Sequence, residues 1–99
     1  MHIRFTTVAR DELTDARAWL NKQQPGLGKQ LNDEVREAAM RIARMPLIYP
    51  VDVEDIRKCH LHRFPYTLRY ALRDDIVLIL AVSHQHRDPD YWIDRIRQP

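Results

Sequence analysis

The chain has 99 residues, 44% of them hydrophobic and 30% charged, with a formal net charge of +2. This composition suits one folded domain (1–99) with a modest core. It excludes a disordered chain, and no apolar run approaches the ~18 residues of a membrane-spanning helix. The charge is too small to name a partner, and the single cysteine, Cys59, leaves no intrachain disulfide framework.

The opening MHIRFTTVARDEL has no apolar h-region, so it does not read as a signal peptide and a cytoplasmic protein is expected. Residues 2–8 (HIRFTTV) place apolar side chains at Ile3, Phe5 and, after a break, Val8, which predicts a short strand. Residues 10–24 follow with Leu13, Ala16 and Leu20 in line with Ala9, the spacing of one helix face. Asp11 and Thr14 are its candidate N-caps, and Pro25-Gly26 stops it and turns the chain. Residues 27–45 give the clearest helix. Leu27, Leu31, Val35, Ala38, Ile42 and Met45 form one stripe, and Glu37 and Arg41 are spaced for an i,i+4 pair on the other face. Pro46 ends it. The two segments make an αα-hairpin.

Residues 46–55 contain two prolines and no clean period, so they read as a loop. The period then becomes two. In residues 56–64, Cys59 and Leu61 alternate with Lys58, His60 and His62. In residues 66–73, Tyr66, Leu68, Tyr70 and Leu72 share one face, and Thr67, Arg69, Ala71 and Arg73 the other. Asp74-Asp75 is the turn, and residues 76–83 (IVLILAVS) are apolar on both faces, as an interior strand is. These three predict an antiparallel meander. Residues 88–97 (DPDYWIDRIR) predict a short closing helix with Asp88 as N-cap and Pro89 in the first turn. The expected fold is α+β: β-α-α-β-β-β, the helical hairpin on one face of a small antiparallel sheet, and a C-terminal helix. The other sheet face is expected to stay open and to be lined by the basic strands. Between positions 57 and 73 the chain carries Arg57, Lys58, Arg63, Arg69 and Arg73 and no acid. A concentration of that kind suits phosphates or an acidic partner, though a small domain also simply places its arginines in solvent.

The candidate chemistry sits in CHLHR (59–63) and SHQHRDPDYW (83–92). His60 with His62, and His84 with His86, are two H-x-H pairs of the kind that chelate metal from one strand face. The middle strand separates them, however, and neither a cysteine pair nor a carboxylate at ligand spacing joins them. Neither metal nor cofactor is expected. Metal-independent RNA cleavage asks for less: a base at the 2′-hydroxyl, an acid at the leaving oxygen and cations around the phosphate. His84, His86, Arg87, Tyr91 and Arg63 are the right types. The plainer reading makes Tyr91 and Trp92 anchors of the last helix, and Arg87 and Arg63 partners of nearby acids. Cys59 falls in the core register, and Ser83 has no Gly-rich elbow beside it.

The run LHRFPYTLRYALRDDIVLILAVSHQHRDPDYW resembles toxins of the RelE/ParE superfamily of type II toxin–antitoxin modules. The helix-Pro-Gly-helix pattern of residues 9–46 agrees, so the resemblance covers essentially the whole chain. Its most specific pieces are Arg63-Phe64-Pro65-Tyr66 and the set His84, Arg87, Pro89, Tyr91 and Trp92. The resemblance implies a bacterial growth inhibitor held inactive in a hetero-oligomer by a cognate antitoxin. Such antitoxins lay helices and a strand over the toxin, here over the helical hairpin and a sheet edge. It also implies one of two targets. RelE-like members cut messenger RNA in the ribosome, which would make His84, His86, Arg87 and Tyr91 the catalytic set. ParE-like members block DNA gyrase and need no nuclease residues. Arg63, Arg69 and Gln85 are the target-binding candidates under either. Thr67 and Gln85 stand where the RelE-like pattern has arginines, and RFPY is associated more with ParE-like members, so the gyrase reading is favoured. A degenerate toxin that only binds its antitoxin is the third reading.

Overall fold

The computed structural model describes residues 1–85. In chain order the elements are β1 (His2–Phe5), α1 (Thr7–Gln23), α2 (Leu27–Arg44), β2 (Val51–Val53), β3 (Ile56–His60), β4 (Tyr66–Arg73) and β5 (Ile76–His84). The expected order is present with one strand more. The 46–55 segment, read as a loop for its prolines, carries β2, a three-residue edge strand. Pro50 precedes it, where a missing N–H breaks no ladder bond, and gives its carbonyl to the Lys58 N–H at 3.1 Å. The closing helix expected over 88–97, and with it His86, Arg87, Tyr91 and Trp92, lies outside the described residues.

The sheet runs β1-β5-β4-β3-β2. The β3-β4-β5 meander is antiparallel as expected, but β1 joins β5 in parallel, so the sheet is mixed rather than wholly antiparallel. Asp74, in the β4–β5 turn, takes a left-handed φ of 54°, which aspartate tolerates better than most residues.

β1 ends earlier than its apolar pattern suggested because Thr6 caps α1. Its N–H still bonds to the Ile79 carbonyl of the sheet (3.0 Å), while its Oγ1 accepts from the Ala9 N–H (3.1 Å). The expected caps, Asp11 and Thr14, are inside the helix, where the Thr14 hydroxyl donates back to the Arg10 carbonyl. Replacing Thr6 with Ala leaves a first-turn N–H without its acceptor and should cost about 1 kcal/mol. A thermal melt of the variant against the parent checks this.

The stripe on α2 is buried as patterned. Leu31, Val35, Ala38 and Ile42 are 0–2% exposed, whereas Met45 lies just past the helix and is exposed. With Ala9, Ala16 and Leu20 of α1 they cover the sheet face formed by Cys59, Leu68, Tyr70, Val77, Ile79 and Val82. The hairpin closes tightly at Gly28, whose N–H bonds to Asn21 Oδ1 (2.9 Å). A side chain there would meet the Arg17 carbonyl at 2.7 Å. Arg41 does not serve the expected Glu37 pair; its Nε donates to the Tyr49 hydroxyl, and the i,i+4 ion pair of α2 is Lys29 with Asp33. The far sheet face, expected to be open, holds a second buried cluster of Ile56, Ala71, Leu80 and Ala81. β5 feeds both clusters by alternation, and the bulge at Leu80 puts the consecutive Leu80 and Ala81 on the same far face. No helix among the described residues is long and apolar enough to cross a membrane.

Candidate target-binding site

Between β3 and β4 the chain makes a five-residue loop, residues 61–65 (LHRFP). Leu61 and Phe64 turn inward and join the main core, which leaves His62, Arg63 and Pro65 exposed. The Leu61 N–H bonds to the Tyr66 carbonyl (2.9 Å), and the Tyr66 N–H to the Phe64 carbonyl (2.8 Å), so the loop is closed at its base. Its other tie comes from Glu34 on α2. Glu34 Oε2 accepts the His62 N–H at 2.7 Å and Oε1 the Arg63 N–H at 3.2 Å. Arg63 Nε lies 3.8 Å from Oε1. A carboxylate 5% exposed is costly unless paired and hydrogen-bonded, and these groups offset that cost. The Arg63 side chain is nevertheless 57% exposed.

The structure brings His84 and Gln85 to the same end of the sheet as this loop. The Gln85 N–H bonds to the Pro65 carbonyl (2.8 Å), and His84 is in register with Tyr66. The Tyr66 and His84 rings meet edge to face at 5.4 Å. The register places His84 on the helix side of the sheet. There it borders a cleft of about 340 Å³ lined also by Glu12, Asp15, Trp19 and Tyr66. Glu12 holds the strand edge by accepting the Val82 N–H at 3.0 Å.

Arg69 is elsewhere. It lies on the opposite sheet face and is 8% exposed. Its guanidinium donates to Ser83 Oγ (3.1 Å) and approaches Asp52 Oδ2 (3.4 Å), and the same carboxylate takes Lys58 at 3.6 Å. Beside them His60 Nδ1 and Thr67 Oγ1 share a 2.6 Å hydrogen bond. Arg57 turns to the helix side and donates to the Leu47 and Tyr49 carbonyls. Arg73 pairs with Asp55 at the other end of β4, about 23 Å from its start at the usual rise per residue. The basic run between 57 and 73 therefore does not line one face. The alternation of β3 and β4 and the 61–65 loop send its cations to four different places.

His60 and His62 part company as well. β3 ends at His60, so His62 belongs to the loop and the pair no longer shares a strand face. Among the described residues no group of three His, Cys, Asp or Glu side chains gathers as metal ligands would. Cys59 is fully buried, and burial pushes its thiol pKa up, away from reactive thiolate. Glu34 escaped the sequence reading, although its signal was there. It falls three residues after Leu31 and one before Val35, an acid on the core side of an amphipathic helix.

The family model described as the ParE toxin of a type II toxin–antitoxin system, parDE, matches residues 3–89 of this chain. A solved structure titled as the chromosomal ParDE toxin–antitoxin system from P. aeruginosa is similar in fold. The superposition has a TM-score of 0.64 at 14% identity and covers 85% of this chain and 95% of that chain. No curated protein matches it.

Proposed function

The chain belongs to the ParE toxin family of type II toxin–antitoxin systems, and from that premise we propose that it arrests bacterial growth by binding DNA gyrase in the cytoplasm. A cognate antitoxin that binds it directly keeps it inactive in a hetero-oligomer. The observation that carries the gyrase reading over RNA cleavage is the occupation of the far sheet face. Cutting RNA needs cations poised around a phosphate and a proton-transfer pair within reach of it. On that face Arg69 is spent on Asp52 and Ser83, Lys58 on Asp52, and Thr67 on His60. Arg63, His84 and Gln85, the other candidates among the described residues, stand on the loop, on the helix side and at the end of β5, while His86, Arg87 and Tyr91 lie outside the described residues. A toxin that works by binding a protein needs no phosphate cradle.

The competing reading makes the protein a ribosome-dependent endonuclease with His84, His86, Arg87 and Tyr91 as its catalytic set. Adding purified protein to a reconstituted translation reaction and mapping the 5′ ends of the message separates the two. The expected result is an intact message. New ends that form only with ribosomes present would replace the gyrase reading with the nuclease one.

A further inference from the structure

We propose that the 61–65 loop is a preformed contact element for an acidic protein surface, with Arg63 as the contacting cation and Glu34 as the residue that positions it. The proposal rests on the toxin reading above but not on which target the toxin has. Flexible loops lose affinity because ordering them on binding costs entropy. This loop is ordered beforehand from three sides. Leu61 and Phe64 anchor it in the core, and the Gln85 N–H holds the Pro65 carbonyl. Glu34 takes the N–H groups of two consecutive residues, His62 and Arg63, on its buried carboxylate.

The outward side of the loop is the exposed imidazole of His62, the guanidinium of Arg63 and the ring of Pro65. It carries no acid of its own. The one carboxylate bonded to it, Glu34, faces inward, and Asp33 on α2, close enough to feel the Arg63 charge, is paired with Lys29 at 2.8 Å. That surface is positive with an apolar shoulder, which suits an acidic protein patch. Among the described residues it is not continued by the row of cations that holds a phosphate backbone. The other cations of the segment, Arg57, Lys58, Arg69 and Arg73, are turned away from the loop and engaged elsewhere.

Glu34 acts through Arg63 and touches no partner itself, so the test must separate positioning from folding. Full-length wild type, Glu34→Gln, Arg63→Ala, Arg63→Lys and the Glu34→Gln/Arg63→Ala pair are induced in cells at matched levels of folded protein. Amide exchange is followed on the purified chains. In Glu34→Gln the His62 and Arg63 amides should exchange at least about tenfold faster while β4 amides stay protected. The dose needed for growth arrest should rise about tenfold in Glu34→Gln and in Arg63→Ala. The pair should be no worse than Arg63→Ala alone, and Arg63→Lys should keep most of the toxicity. Arrest unchanged in Arg63→Ala, or additive loss in the pair, overturns the proposal. So does a wild type that fails to arrest growth, or wild-type retention of a DNA or RNA fragment that Arg63→Ala abolishes. Arrest that follows this pattern without any effect on gyrase would leave the proposal standing and remove only the gyrase reading.

Discussion

Val35→Asp is expected to leave the domain unfolded. Val35 is 2% exposed in the middle of the α2 stripe, flanked by Leu31, Ala38 and Ile42, and it faces the sheet side of the main core. A carboxylate placed there loses its hydration, and the nearest cation in the lining of the adjoining cleft, Arg36, is exposed rather than buried beside it. The penalty is several kcal/mol, to which the lost valine contacts add. A domain of this size has about 5–15 kcal/mol in total. An open, largely apolar cleft of about 400 Å³ lies beside Val35, lined by Ile3, Phe5, Leu13 and Met40 among others, with Asn32 and Arg36 as its polar members. Val35→Ala, which only enlarges that space, should therefore be the mild control and remain folded. Far-UV circular dichroism with heating checks both. A cooperative melt of Val35→Asp near the parent temperature would refute the placement of this stripe.

Tyr70→Ala should come close to the same loss by a different route. Tyr70 is fully buried in β4, and its hydroxyl donates to the Pro46 carbonyl at 2.8 Å. It therefore fills the core and also fixes the exit of α2. Truncation to alanine removes a whole aromatic ring and should cost about 3–5 kcal/mol. Tyr70→Phe keeps the ring and leaves one part-buried carbonyl without its donor, so it should cost about 1 kcal/mol. The hydroxyl also sets a pH signature. Burial is the main cause that pushes the Tyr70 pKa up to about 12, against about 10 in an unfolded chain. Between those values the unfolded chain has lost a proton that the folded chain keeps. The tyrosine's contribution is thus fully present below pH 10 and falls as pH rises toward 12. Urea melts across that range should lose stability more steeply for the parent than for Tyr70→Phe. Parallel slopes would show that Tyr70 is not the group responsible.

The helical hairpin was legible because its period is long and unambiguous. Leu31, Val35, Ala38 and Ile42 leave few other ways to bury a helix of that length. The meander was legible from the alternation in 66–73 and from the Asp74-Asp75 turn. β2 was hidden because three residues are too few to show a period and two prolines, Pro46 and Pro50, come just before it. The start of α1 was misplaced because Thr6 is a capping residue inside what read as a strand.

The site was harder to read for a physical reason. Alternation tells which residues share a face only while the strand continues, and β3 stops at His60. Beyond it the loop follows its own hydrogen bonds, so Arg63 and Arg69 end up in different environments although both belong to one basic run. Nor does alternation tell which cations are spent internally. The Asp52 carboxylate that engages Lys58 and Arg69 comes from β2, the strand that went unread. Of the cations between 57 and 73, Arg57, Lys58, Arg69 and Arg73 are satisfied within the fold, and Arg63 alone turns most of its side chain to solvent.

The gyrase reading is tested most directly by titrating the purified protein into purified gyrase with relaxed plasmid and ATP, and following supercoiled product on a gel. The expected result is a dose-dependent loss of supercoiling, reversed by the antitoxin. Unimpaired supercoiling at large molar excess, from a preparation that still arrests growth when induced in cells, would contradict it.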